Sequence, residues 1–106
     1  MNGVKYDQEK PRWSLLPWDV LEWVVKVLTF GSKKYEDHNW QKVPNAVDRY
    51  ESALHRHLCA HKKGVFLDPE THCPHLAHAI CCLLFWLWFE LRIKREEKPH
   101  ADLKIR

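Results

Sequence analysis

Residues 74–94 have the sequence PHLAHAICCLLFWLWFELRIK, and this stretch determines the predicted fold class. Pro74 suits the first turn of a helix, where its missing N–H breaks no hydrogen bond. The eleven residues from Ala79 to Phe89 leave no polar face, and a helix of that kind is normally buried all round. We therefore predict helix three at residues 74–94, at the centre of the protein or shared between subunits. The apolar run is too short to cross a bilayer, so we expect no membrane span.

Two more helices are predicted on the N-terminal side of this stretch. An apolar pattern with helical spacing that stops at Gly31 predicts helix one at residues 17–30. A good N-cap residue, Asn45, and a glycine stop, Gly64, predict helix two at residues 45–63. No segment has a convincing strand pattern.

The chain is therefore predicted to be a single all-α domain, residues 1–106, built as a small bundle of three main helices. Its 106 residues are 45% hydrophobic and 29% charged, which suits a globular fold. Three helices of this length bury little surface alone, so the remaining apolar side chains indicate a homo-oligomer. An N-terminal arm, residues 1–16, and a charged tail, residues 95–106, are expected to flank the helices.

Charge and cysteine content indicate where the protein works. The net charge is +3, and basic and acidic residues are mixed near the C-terminus, so there is no strong nucleic-acid signal. The polar N-terminus lacks the apolar segment of a secretory signal. The four cysteines have no paired zinc spacing, and reduced thiols are typical of a cytoplasmic protein.

Four histidines lie near the junction of the second and third predicted helices, namely His57, His61, His75 and His78. Antiparallel packing would bring the four imidazoles together, with Asp68 in the connecting loop above them. They could hold a transition metal, donate hydrogen bonds to phosphate, or only tie two helices together. Because a dense polar cluster is costly to bury, we favour a functional site at this junction.

Basic residues lie on either side of this cluster in the sequence. Lys33, Lys34, Arg49 and Arg56 could hold an anion such as a polyphosphate. A neutral imidazole donates through only one nitrogen, so we expect the lysine loop to close over the phosphates. Trp40 would then cover the base.

Several motifs, in order along the chain, are similar to those of a known family. The matching pieces are Lys5-Tyr6-Asp7, Lys10-Pro11-Arg12, Leu15-Leu16-Pro17, Val27-Leu28-Thr29-Phe30-Gly31, Lys33-Lys34-Tyr35, Asn39-Trp40, Arg56-His57-Leu58, Asp68-Pro69-Glu70-Thr71 and Pro74-His75-Leu76-Ala77-His78-Ala79. Together they span about residues 4–92 and resemble small phage proteins called dATP/dGTP diphosphohydrolases, linked to the MazG-like all-α nucleoside triphosphate pyrophosphatases.

This resemblance implies a helical bundle that forms dimers or tetramers. It also implies magnesium bound by ExxE and ExxD motifs on two helices, and cleavage between the α and β phosphates. The magnesium would neutralise the polyphosphate and position a water. In this chain His75 and His78 stand in the ExxD positions, and Glu51 has no ExxE partner. Since magnesium prefers oxygen ligands, the resemblance supports nucleotide recognition more than hydrolysis.

Three functions are compatible with these patterns, and we place hydrolysis first by a narrow margin. A (d)NTP pyrophosphohydrolase would use Glu36, Glu51 and Asp68 as catalytic carboxylates, with magnesium or manganese as the cofactor. A non-catalytic binder would instead sequester a signalling nucleotide of host defence in the host cytoplasm. A structural oligomer would use zinc, held by the four histidines and Asp68. The expected nucleotide contacts are Lys33, Lys34, Tyr35, Asn39, Trp40, Arg49, Arg56, His57, His61, His75 and His78.

Overall fold

A computed structural model describes residues 2–97 of the chain. The three α-helices are α1, Trp18–Lys34; α2, Ala46–Lys62; and α3, His75–Glu97. Short 3-10 helices, Trp13–Leu15 and Asn39–Lys42, precede α1 and α2. Among the described residues β pairing is limited to one isolated bridge, between Leu67 and Pro74. The predicted all-α fold class is confirmed.

The predicted end of helix one at Gly31 is wrong, because α1 continues to Lys34. The Gly31 carbonyl accepts the Tyr35 N–H at 3.0 Å, so the helical hydrogen bonds run on past the glycine. A glycine inside a helix costs only about 1 kcal/mol relative to alanine. Lys33 and Lys34 in the last turn favour the longer helix, because their charges face the negative end of its dipole.

The ends of α2 are set by two residues with positive φ. Asn45 is the residue before the helix, but it has a φ of 53° and its side chain makes no cap hydrogen bond, contrary to the capping that the sequence suggested. At the other end Gly64 has a φ of 91°. Its N–H bonds to the His61 carbonyl and the Val65 N–H bonds to the Ala60 carbonyl, both at 3.0 Å. These two bonds form a Schellman motif, which favours glycine at this position.

α3 begins directly after Pro74 and extends to Glu97, three residues beyond the predicted end. It therefore includes residues 95–97 of the predicted charged tail, and residues 98–106 of that tail lie outside the described residues.

The core lies where α3 packs against α2 and, less extensively, against α1. Leu54 of α2 is buried with Ala79 and Cys82 of α3. On the α1 side, the Cys81 thiol donates to the Val24 carbonyl at 3.6 Å. The pairing of Leu54 with Ala79 and Cys82 makes α2 and α3 an antiparallel hairpin. The end of α2 and the start of α3 are therefore neighbours in space.

The expectation that α3 is buried on every side is wrong within a single chain. Leu76, Leu83 and Leu87 lie on one side of the helix and are 39%, 49% and 56% exposed. The reason is size, because two helices and a short loop cannot surround a 23-residue helix. By length and composition alone α3 could cross a membrane, and 22% of its most apolar window is buried. The expectation of no span rested on the eleven-residue run, and the longer helix removes that support. A single helix of this kind is weak evidence for a span.

Candidate functional site

Three of the four predicted histidines meet at the end of the α2–α3 hairpin. His57 Nδ1 of α2 lies 2.9 Å from His75 Nδ1 of α3. The ring of His78, one turn further along α3, stacks on His57 at 4.5 Å between centroids with an angle of 11° between planes. His61 packs instead against Phe66, with centroids 6.2 Å apart. The hairpin geometry thus brings together His57, His75 and His78. The ring contact of His61 is with Phe66 and not with these three histidines.

Asp68 is held against these histidines by the loop between α2 and α3. Its Oδ2 accepts the N–H groups of Glu70 and Thr71 at 3.0 and 2.9 Å. The loop is closed by hydrogen bonds from Asp68 N–H to the Cys73 carbonyl and from His72 N–H to the Asp68 carbonyl, both 2.8 Å. These bonds aim the carboxylate inwards, where Oδ2 lies 3.9 Å from His78 Nε2.

The Thr71 hydroxyl connects Asp68 to His78. Its Oγ1 is 3.2 Å from Asp68 Oδ2, 2.7 Å from His78 Nε2 and 3.2 Å from the Cys73 N–H that donates to it. An ionised carboxylate only accepts, so the hydroxyl proton goes to Asp68. The hydroxyl oxygen then accepts from His78, which assigns the proton of the neutral imidazole to Nε2.

Burial and neighbouring charges keep the imidazoles of His57 and His78 neutral and the Asp68 carboxylate charged. Burial, reinforced by the neighbouring imidazoles of His78 and His75, lowers the pKa of His57 to about 4. Burial also lowers the pKa of His78, although the nearby Asp68 opposes this. For Asp68, burial raises the pKa, but the hydrogen bonds from Thr71 and the proximity of His78 outweigh it and leave the pKa below its usual value. At neutral pH these three groups therefore provide unprotonated nitrogen atoms and one negative charge.

A cavity of about 670 Å³ lies beside this cluster, between the end of α1, the second 3-10 helix and α3. Its walls are aromatic, formed by Tyr35, Trp40, Tyr50, Phe85 and Trp88. Such a volume is in the range of small-molecule sites, and mostly apolar walls with a few polar groups are typical of them.

The polar side of the cavity is formed by charged and hydroxyl groups. The Lys34 ammonium bonds both carboxylate oxygens of Glu70, at 3.1 and 3.2 Å. This ion pair joins the end of α1 to the α2–α3 loop and raises the pKa of Lys34. Thr71 and His78 line the same cavity. The histidine cluster therefore reaches the cavity through His78, with His57 and His75 behind it.

The remaining predicted residues divide between two surfaces. Lys34, Tyr35, Glu36, Asn39, Trp40 and His78 line the cavity, whereas Lys33 does not. Glu51 and Arg56 line a separate groove on the outer face of α2, together with Asp48 and His55. Arg49 is exposed and donates to the Pro44 carbonyl at 3.4 Å. Glu51 and Arg56 therefore face a groove apart from the cavity, and Arg49 contacts Pro44, so the part of these three residues in the site stays a prediction.

Two carboxylates of the α1–α2 connection already have partners. Glu36 bonds the Lys42 ammonium at 2.9 Å, and Asp37 accepts from the Ser32 hydroxyl. Trp40, expected to cover a base, stacks one ring face on Phe85 at 4.5 Å and forms a T-shaped contact with Trp88 at 5.0 Å. It is therefore part of the wall, whereas Tyr35 is 64% exposed at the same cavity.

Sequence analysis missed several cavity residues as site residues. Thr71 could have been found, because an aspartate three residues before a threonine is typical of an Asx turn that directs both side chains to one point. Tyr50, Phe85 and Trp88 carried no such signal, since aromatic residues on apolar helix faces look the same in a core and in a cavity wall.

Fold and site together define a small all-α domain whose aromatic cavity adjoins a histidine–aspartate cluster. Residues 1–99 match the family described as dATP/dGTP diphosphohydrolase, N-terminal, and the chain belongs to that family. The resemblance noted in the sequence is thereby confirmed.

A relative from Salmonella phage PMBT28, named dATP/dGTP diphosphohydrolase, is 38% identical to this chain over 88 residues. The match covers 83% of this chain and 30% of the relative. The chain thus spans less than a third of that protein's length. No solved structure matches the chain.

Proposed function

We propose that the chain binds a nucleoside triphosphate in the aromatic cavity and hydrolyses it between the α and β phosphates. The observation that carries this proposal is the composition of the cavity, which has aromatic walls and a polar side where Lys34, Thr71 and His78 meet. A base suits the aromatic walls, because every base has a face that can stack. The polyphosphate suits the polar side. The phage relative, a dATP/dGTP diphosphohydrolase by name, agrees with this ligand class.

The exposed Tyr35 is the side chain best situated to stack on the base, since Phe85 already covers one face of Trp40. Lys34 would exchange Glu70 for a phosphate, and His78 would exchange Thr71 for a second phosphate as the acceptor of its Nε2–H. The carboxylates Glu36, Asp37 and Glu70 line the cavity. Their oxygens fit magnesium or manganese, which bind through one or two carboxylates plus substrate phosphates. When bound, such an ion would neutralise the polyphosphate and lower the pKa of an attacking water.

The second candidate is a non-catalytic binder that sequesters a signalling nucleotide of host defence. It is favoured by the acidic residues, because α2 and α3 contain neither an ExxE nor an ExxD pair. In addition, the Glu36 and Asp37 side chains are engaged with Lys42 and Ser32. Either function would be carried out in the cytoplasm of the host cell if the chain is phage-encoded.

One experiment separates the two candidates. The protein is incubated with a panel of nucleotides and magnesium or manganese, and the products are separated by chromatography. Cleaved nucleotide supports hydrolysis, whereas unchanged ligand released only on denaturation supports sequestration. Absence of both turnover and binding across the panel would contradict the proposal.

Neighbouring lysines provide a matched test of the binding site. Lys34→Ala should weaken nucleotide binding about ten- to hundredfold, as expected for one charge-assisted phosphate contact. Lys33→Ala removes the same charge from the next residue, which does not line the cavity, and should have little effect. Measured without a divalent ion, Glu70→Gln should strengthen binding, since it releases Lys34 from its ion pair. Equal affinity of all three variants and the parent, measured by calorimetry, would exclude a phosphate site at Lys34.

We also propose that the chain forms a homo-oligomer through the exposed leucines of α3. Nine of the described residues are buried, and the largest that is fully buried is Cys81. A core of this size is marginal for a domain of this length.

A further inference from the structure

Three separate elements direct metal-binding atoms to one point behind the cavity wall. His57 comes from α2, Asp68 from the loop and His75 from the first turn of α3. One ligand atom of each lies within 4.8 Å of the other two. The nearest pair, the two Nδ1 atoms of His57 and His75, is 2.9 Å apart. This point is distinct from the cavity carboxylates, since none of the three residues lines the cavity.

We propose that His57, Asp68 and His75 bind a divalent transition metal, with zinc as the reference ion. Two imidazoles and one carboxylate are a ligand set that suits zinc, manganese or iron and suits magnesium poorly. With zinc–nitrogen bonds of about 2.0 Å, tetrahedral ligand atoms are about 3.3 Å apart. The His57 and His75 Nδ1 atoms are 2.9 Å apart, and all three ligand atoms lie within 4.8 Å of one another, so small side-chain movements would reach this spacing.

The two Nδ1 atoms face each other at a buried point, because His75 is 94% buried. Its Nδ1 and that of His57 share a single proton between two nitrogens. An ion between the two Nδ1 atoms would replace this hydrogen bond, and the displaced proton would move to Nε2 of the imidazole that donated it. The ionised Asp68 would leave the filled site with a net charge of about +1.

His78 connects this site to the cavity without being a ligand itself. Its ring stacks on His57, and its Nε2 bonds Thr71, whose hydroxyl bonds Asp68. An ion that joins α2, the loop and α3 would therefore hold Thr71 and Glu70 at the cavity. Metal binding itself requires no nucleotide, so its test is independent of the proposed nucleotide function.

Metal titration of the chelator-treated protein tests the site directly. Calorimetry with Zn²⁺ should give one equivalent per chain, and Co²⁺ should give the visible absorption of a tetrahedral site. Millimolar Mg²⁺ should not displace the cobalt. No binding at micromolar Zn²⁺, or ready displacement by Mg²⁺, would overturn the proposal. A strong sulfur-to-cobalt charge-transfer band would also overturn it, because it would identify a cysteine ligand such as Cys73.

Variants locate the ion. His57→Ala and His75→Ala should lose metal binding. His55→Ala is the matched control: it removes an exposed histidine two residues before His57 in α2 and should leave metal binding unchanged. Retained binding in both cluster variants would overturn the assignment. If the alanine variants do not fold by circular dichroism, Asp68→Asn decides, because it preserves the size of the side chain. Zinc affinity reduced at least tenfold supports the site, and unchanged affinity overturns it.

Discussion

Trp40 allows the aromatic cavity wall to be tested as part of the folded core. Its ring stacks on Phe85 at 4.5 Å and meets the rings of Trp88 and Phe89 edge-on at 5.0 and 6.4 Å. These contacts join the α1–α2 connection to α3. Replacement of Trp40 by alanine should therefore destabilise the whole domain, in addition to any effect on a ligand.

The size of the effect can be worked from these contacts. Truncation of a buried tryptophan to alanine costs about 3–5 kcal/mol, and Trp40 is only partly buried, so we expect about 3 kcal/mol. For a domain of about 100 residues, each 1 kcal/mol lowers the Tm by about 4–8 °C, so the Tm should fall by about 12–24 °C.

Thermal unfolding followed by circular dichroism, at one fixed protein concentration, measures this change. Trp13→Ala is the matched control, because Trp13 is 70% exposed and its loss should change the free energy of unfolding by less than about 0.5 kcal/mol. Trp40→Phe should lie between the two. If Trp40→Ala and Trp13→Ala unfold at the same temperature, Trp40 is not a core residue and the argument from ring stacking is refuted.

Three other predictions concern the backbone, the thiols and the outer face of α3. Gly64→Ala should cost about 1–2 kcal/mol in urea unfolding because of the positive φ, although the Cβ has open space; an unchanged midpoint would contradict this. At pH 8 alkylation should modify the exposed Cys59 first, since burial raises the pKa of Cys81 to about 12 and of Cys82 to about 11, leaving about one thiolate in ten thousand and one in a thousand. If mass spectrometry shows that Cys81 is alkylated as early as Cys59, the burial of Cys81 would be contradicted. Leu83→Glu should yield folded monomers by light scattering, and a mass equal to that of the parent protein would argue against self-association through this face.

The helical hairpin and its histidines could be predicted from local patterns alone. Pro74, Gly64 and the apolar spacing act within one or two helical turns, so they place α2 and α3 without knowledge of the rest of the chain. Two helices joined by a short loop must be antiparallel neighbours. That geometry is enough to bring His57, His75 and Asp68 together.

Errors arose where an outcome depended on competing contacts. A glycine such as Gly31 is typical of the end of a helix, yet α1 continues through it. The reason is that continued helical hydrogen bonding outweighs the small free-energy cost of a glycine inside a helix. Arg56 follows His55 and precedes His57, but each helical step turns a side chain by about 100°, so Arg56 lies in another groove. His61 is four residues from His57 and packs on Phe66 instead.

Sequence by itself determined the all-α class, the three helices and the end of the hairpin where polar residues gather, because these depend on periodicity and on turn chemistry. Only the tertiary structure decided which aromatic residues form a cavity and which form a core. It also decided that Lys34 rather than Lys33 reaches this cavity, where it pairs with Glu70, 36 residues away. Such contacts depend on the angle and register at which α1 packs on α3, and no local pattern specifies those.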